Sequence, residues 1–236
     1  MQPTVTRLER WRTALSQVEW PIATAAVLMA AALALAIWPE DPQVASSEAR
    51  PSQPMPPLPP GPPWTRGRSD ARFTITVYAD LECPYCRDYV PELVRWIDAT
   101  PDVNLQWHHL PLQAHEPAAS QEARLAECAG KERGHAGFWQ AVDWIYAHTR
   151  AESRAVPDGT LYPGMTPKIQ ACASGEESKT SVSQQAQQAA ADGITGTPTL
   201  RLRDRKSGKE LRLTGAVPAD ALMSALDLLA SPAPAR

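Results

Sequence analysis

An α/β fold is predicted by three observations along this chain. The period-two segment "FTITVYA" runs directly into an amphipathic helical stretch and out into a second alternating segment. A helical pattern then fills residues 115–192 almost without a break. Two short alternating segments and a final helical stripe follow it. The order is β-α-β, helical block, β-β-α, which describes one α/β domain carrying a helical insertion.

Composition bounds the rest. With 236 residues and 43% apolar side chains the chain can bury one good core, and its net charge of -3 shows no sustained basic surface that would call for nucleic acid. Ahead of the domain, residues 20–39, "WPIATAAVLMAAALALAIWP", are uncharged with a Trp near each end. About eighteen to twenty helical residues reach roughly 27–30 Å, the thickness of a hydrocarbon core. Trp20 and Trp38 suit the two interfaces. Arg7, Arg10 and Arg12 precede the segment, and the next basic residue is Arg50, so the positive-inside rule keeps residues 1–19 cytoplasmic and exports the remainder. The rival reading is a cleavable signal peptide, since Ala32-Leu33-Ala34 fits a small-x-small site. The long leader and long apolar run favour an uncleaved anchor. The expected location is therefore a bacterial inner membrane, crossed once, with the folded domain in the periplasm. Residues 40–70 are dense in Pro and read as a stiff periplasmic spacer of polyproline character.

The globular part is expected to span residues 71–231. Phe73, Ile75, Val77 and Ala79 alternate as in a half-buried strand. Val90, Leu93, Val94 and Ile97 follow the i, i+3, i+4, i+7 pattern of a helix that stops at Thr100-Pro101. Val103, Leu105 and Trp107 alternate in the next strand. Phe138, Ala141, Val142 and Ile145 mark a helix inside the block, and another runs from about Glu177 to Asp192, stopped by Gly193. "TLRLR" and "ELRLT" form a hairpin pattern, and Pro218 opens a last helix with Leu222, Ala225, Leu226 and Leu229 on one face.

The chemistry lies in "DLECPYC". A C-x-x-C can bind metal, exchange electrons or staple a turn. Zinc needs about four ligands, usually from paired clusters, whereas Cys128 and Cys172 are single and distant, and strand alternation sends His108 and His109 to opposite faces. Redox exchange needs an exposed thiol whose thiolate is stabilised. A helix N-terminus supplies unpaired N–H groups and a favourable dipole, and Pro84 suits the first helical turn. Cys83 is expected to attack and Cys86 to resolve. Asp80 and Glu82, if ionised nearby, would work against the Cys83 thiolate, although such acids are ordinarily solvated.

With "DLECPYC" after a strand, "GHAGFWQAVDWIY" in the helical block and "DGITGTPTLRL" opening the next strand, the chain resembles the DsbA-like branch of the thioredoxin superfamily across about residues 72–230. The resemblance implies a thioredoxin fold with a helical insertion at about 114–192. It implies a protein thiol-disulfide oxidoreductase with no organic cofactor or metal, its redox centre being the Cys83-Cys86 disulfide. It places a cis-proline at Pro198, with Thr197 offering its backbone to the substrate chain, and makes Pro84 and Tyr85 part of the contact surface. The strongest oxidases of the family carry His at the position of Tyr85, so a milder oxidant is expected here. Isomerases of the family carry a dimerisation domain where this chain has its spacer, which counts against isomerisation. The implied partners are exported cysteine-containing proteins and a membrane or periplasmic redox partner. The alternative is a non-catalytic peptide-binding module or chaperone of the same fold.

In an oxidising compartment Cys128 and Cys172 can pair, closing a loop worth about 4 kcal/mol at most in the chain-entropy picture. The alternative is two buried free thiols. Trp96, Trp107, Trp139 and Trp144 are expected to pack, His109 to be a satisfied core histidine, and Arg201, Arg203, Lys206 and Lys209 to form a solvated edge.

Overall fold

The computed structural model describes residues 56–232. The expected cytoplasmic segment, the anchor at 20–39 and most of the spacer lie outside the described residues. Among the described residues no helix is long and apolar enough to cross a membrane.

Five strands form one sheet in the order β1-β3-β2-β4-β5. They are β1 Thr65–Arg66, β2 Phe73–Ala79, β3 Val103–His109, β4 Thr199–Asp204 and β5 Glu210–Thr214. β2 and β3 are parallel and every other pairing is antiparallel. The parallel pair is bridged by α1, Pro84–Asp98, which opens at Pro84 and buries Val90, Leu93, Val94 and Ile97. Between β3 and β4 lie α2 (Ala118–His148), α3 (Pro167–Ser174) and α4 (Glu176–Ala191). The α2 helix breaks at Gly134, where φ is 70° and ψ is -163°, a conformation closed to most side chains. The last helix, α5 (Ala219–Ala230), buries Leu222, Ala225, Leu226 and Leu229.

The main core joins Phe73, Ile75 and Val77 of β2 and Leu105 and Trp107 of β3 to the apolar faces of α1, α2 and α5. Leu105 is completely buried, so its truncation to Ala would cost about 2–5 kcal/mol. The expected half-buried character of β2 is corrected: Tyr78, on its other face, is also fully covered, packing with Leu110, Ala189 and Ile194. The C-terminal part of α4 and the residues after it cover Tyr78 on that second face, while Thr76 there stays half-buried.

A second correction concerns the start of the fold. β1 and the residue before it lie inside the segment expected to be spacer. Trp64 is 2% exposed, stacks on Phe138 with centroids 5.5 Å apart, and donates its indole N–H to Glu127 Oε2 at 2.6 Å. Thr65 and Arg66 pair with Gln106 and Leu105. One large aromatic among prolines is enough to pull the chain onto the core.

At the other end of the sheet, the Arg72 guanidinium reaches Asp204 at 2.9 Å. Asp204 also accepts from the Lys206 N–H and the Ser207 hydroxyl, which shapes the β4-β5 turn. Its carboxyl is held well below the usual carboxylate range, Arg72 being the main cause.

Candidate active site

The site sits where β2 ends and α1 begins. Cys83 is the N-cap residue, in extended conformation at φ -76° and ψ 122°, and Pro84 follows inside the first turn. Asp80 builds the entry. Its backbone oxygen accepts the Cys83 N–H at 3.2 Å, and its Oδ1 accepts the Glu82 N–H at 2.8 Å. Its Oδ2 takes the Leu112 N–H at 2.8 Å and faces His115 Nδ1 at 2.7 Å.

The register of the sheet delivers the opposing wall. Tyr78 pairs with Thr199, which puts the Thr197-Pro198 peptide beside the exit from β2. That peptide is cis. The Cys83 thiol donates to the Thr197 carbonyl at 3.5 Å. Thr197 also buries a hydroxyl that has no hydrogen-bond partner among the described residues.

Cys83 and Cys86 are unbonded to each other or to any other cysteine. The Cys83 thiol is pulled down to about 6. Donation from the Cys86 thiol is the largest cause, opposed by burial; the Thr197 side chain and the N–H groups of Cys86 and Tyr85 add to the lowering. Cys86 moves the other way, well above its ordinary value, chiefly through burial and then through its bond to Cys83. The two sulfurs are thus set apart in acidity, Cys83 favoured as thiolate and Cys86 as thiol, a division that suits the first to attack and to leave.

Two expectations about these surroundings are corrected. Cys83 was expected to be exposed, but the residue is 3% exposed, covered from the Thr197 side; Tyr85, at 73%, is what projects. Asp80 and Glu82 were expected to be solvated, yet both are buried beneath the helical insertion. Glu82 accepts from the Thr149 hydroxyl and the Ala155 N–H, so it spends its oxygens on a loop rather than facing the thiol.

Around this centre, Tyr146 from α2 donates to the Asp80 carbonyl at 3.3 Å, and Tyr89 ties α1 to the Val217 carbonyl at 2.9 Å. Beyond Tyr89 an open groove of about 240 Å³ runs between α1 and α5, floored by Leu93, Trp96 and Leu222. Trp107 and Trp139 are buried core, and Trp144 stacks on His148. His109 takes the Trp107 N–H at 2.9 Å, and burial pushes it down to about 3, so it stays neutral. Cys128 and Cys172 are disulfide-bonded with Cα atoms 5.8 Å apart, joining α2 to α3. Among the described residues no group of three or more His, Cys, Asp or Glu is placed to hold a metal ion. The roles of Glu82, Thr149 and the Thr197 hydroxyl carry no sequence signal beyond proximity to the motif.

A family model described as thioredoxin matches residues 60–221. The solved structure of DsbA2 from Pseudomonas aeruginosa is 42% identical, covering 74% of this chain and 97% of that one with a TM-score of 0.68. A periplasmic thioredoxin-like protein from Salmonella enterica serovar Typhimurium shares the fold at 24% identity, covering 71% and 90% of the two chains with a TM-score of 0.54. Among curated proteins, the Na(+)/H(+) antiporter NhaA 3 of Salinispora tropica is 36% identical over 83 residues, 35% of this chain. The match spans only 12% of the antiporter's length. Carrying the C-x-x-C at the start of α1 opposite Thr197-Pro198, the chain belongs to the thioredoxin family, in its DsbA-like thiol-disulfide oxidoreductase branch.

Proposed function

We propose that this chain oxidises pairs of cysteines in exported proteins, working from the periplasmic face of the inner membrane to which residues 20–39 anchor it. The observation that carries the reading is the split between the two thiols, with Cys83 pulled down to about 6 beside Thr197 and Cys86 raised. In the oxidising direction a substrate thiolate attacks Cys83 Sγ of the Cys83-Cys86 disulfide, and the Cys86 sulfur leaves with the electron pair and takes a proton. The substrate's second thiolate then attacks its own sulfur in the mixed disulfide. Cys83 departs as a thiolate, two electrons pass to the enzyme pair, and the substrate gains a disulfide. Stabilising the Cys83 thiolate favours that departure and so favours oxidation.

A Tyr at position 85 has no cationic form where a His could add positive charge, which supports an oxidant of moderate strength. Thr197 presents its backbone beside Cys83, in position to receive the substrate chain as an added strand. A membrane or periplasmic redox partner has to reoxidise the pair.

The test is a Cys86→Ser variant, which should accumulate mixed disulfides with exported proteins that dissolve under reductant. If it traps nothing, the chain is a binding module rather than an exchange enzyme. Direction is read separately from the thiol state of Cys83 in intact cells. Mainly oxidised agrees with the proposal, and mainly reduced reverses it.

A further inference from the structure

Disulfide exchange leaves the buried acids under the site unexplained. Glu82 precedes Cys83 directly and is 0% exposed. Its backbone oxygen accepts the Glu152 N–H at 2.9 Å, its Oε2 accepts the Ala155 N–H at 3.0 Å, and its Oε1 accepts the Thr149 hydroxyl. All three bonds grip one loop. That loop needs a grip, because Ala151, Glu152, Ser153 and Ala155 have φ of 59°, 56°, 66° and 56°, a left-handed region that side chains other than Gly rarely enter. Glu122, on the first half of α2, is 6% exposed, and neither of its oxygens has a hydrogen-bond partner of ordinary geometry among the described residues.

We propose that Glu122 is a positioning residue acting through Glu82. As a neutral carboxylic acid it lets Glu82 lie buried and hold residues 149–155 against the start of α1, where Cys83 sits; ionised, it sets two carboxylates together and releases the loop. The groups facing Glu122 are Glu82 from the loop before α1, Asp80 at the end of β2 with His115 bound to it, Tyr146 from the second half of α2, and the Val156 N–H. Of the groups that act on the Glu122 carboxyl, only the Val156 N–H favours its anion. Burial first, then the charge of Glu82, pushes Glu122 up from 4.5 to about 9. Because the folded value is raised, its contribution to stability is full below about pH 4.5 and drains away as pH climbs toward about 9.

Amide hydrogen exchange across residues 149–156, corrected for intrinsic rates, tests this between about pH 6 and about pH 10. The wild-type loop should lose protection progressively as pH rises from about 6, by about tenfold or more in all, and level off above about 9, while Glu122→Gln, which keeps the shape and a donor but cannot ionise, should stay protected throughout. The infrared carbonyl band of a protonated carboxylic acid should be present in the wild type at neutral pH and absent from Glu122→Gln. A variant loop that opens at the same pH as the wild type overturns the proposal, and so does a wild type without that band. The consequence for Cys83 rests on the exchange reading above, but both measurements need no substrate. Loss of exchange with the loop response intact would therefore sink the enzymatic reading alone and uphold the clamp.

Discussion

Both cysteine pairs of this molecule lie largely out of solvent, only Cys172 being half-buried, yet one is arranged to react and the other to hold. Cys83, Cys86 and Cys128 are all buried, so exposure does not separate them. What separates them is what lies around the sulfur. Cys83 caps α1 and meets the Cys86 thiol, the backbone N–H groups of Cys86 and Tyr85, and Thr197, each able to stabilise a negative charge. Cys128 lies in the apolar core, and its bond to Cys172 spans 44 residues of chain, fastening α2 to α3. Close spacing at a helix start makes a thiolate and a small ring that opens readily; long spacing within a packed core restricts the unfolded chain.

That contrast is broken most severely at the proposed nucleophile. Cys83→Ser should lower turnover of a disulfide or dithiol peptide by about a thousandfold or more, with the midpoint of thermal unfolding little changed. The converse experiment removes the holding pair. Changing Cys128 and Cys172 together to Ala should cost about 2–4 kcal/mol of stability in denaturant titrations and leave the exchange rate of the folded protein unaltered. If the second variant slowed exchange at temperatures where it is fully folded, the two pairs would not be separable.

The reacting pair was also the more legible of the two. Cys83 and Cys86 announce themselves because a C-x-x-C after a strand is a local pattern, Pro198 comes from the family resemblance, and the β2-α1-β3 unit follows from periodicity alone. What was hidden depends on contacts between distant residues. β1 is two residues long and exists only because Trp64 finds Phe138 and Glu127. Tyr78 reads as a solvated position until α4 is laid over it. Asp80 and Glu82 look like surface acids in a motif rich in turns, and nothing near them in the chain reveals that Thr149, Ala155 and Leu112 will occupy their oxygens. Burial of a charged side chain is a tertiary fact, and one strand or one loop cannot encode it.

A finer measure of the contrast is the titration of Cys83 itself. Thiolate absorbance in the reduced protein should rise with a midpoint near pH 6 and vanish in Cys83→Ser, while Cys86 should not titrate in the neutral range. A depressed folded value means that the thiolate's contribution to stability is present at high pH and lost as pH falls through about 6. Absorbance is the better readout than alkylation. Against an ordinary thiol at 9.0, the thiolate fraction at neutral pH rises by about ninetyfold, but lower basicity reduces nucleophilicity by about sixteen- to thirtyfold, leaving a net gain of only about three- to sixfold.

The smallest change is at Tyr85. Its side chain projects into solvent between the two cysteines, so a His there would place an imidazolium near Cys83 in a water-like medium. At roughly 6 Å such a charge is worth about 0.7 kcal/mol, or about half a pH unit. The ring carries that charge only below about pH 6.5, which overlaps the Cys83 titration. Tyr85→His should therefore move the thiolate midpoint from about 6 down by about half a unit, broaden the curve through coupled titration, and change little above pH 7 or so. Greater thiolate stability in the reduced form should make the variant a slightly stronger oxidant at mildly acid pH, measured by equilibrium with glutathione. An unchanged midpoint would mean that the N–H groups and the Cys86 thiol already saturate the charge on Cys83, and that the exposed middle of the motif contributes contact with substrate and nothing to the acidity of the sulfur.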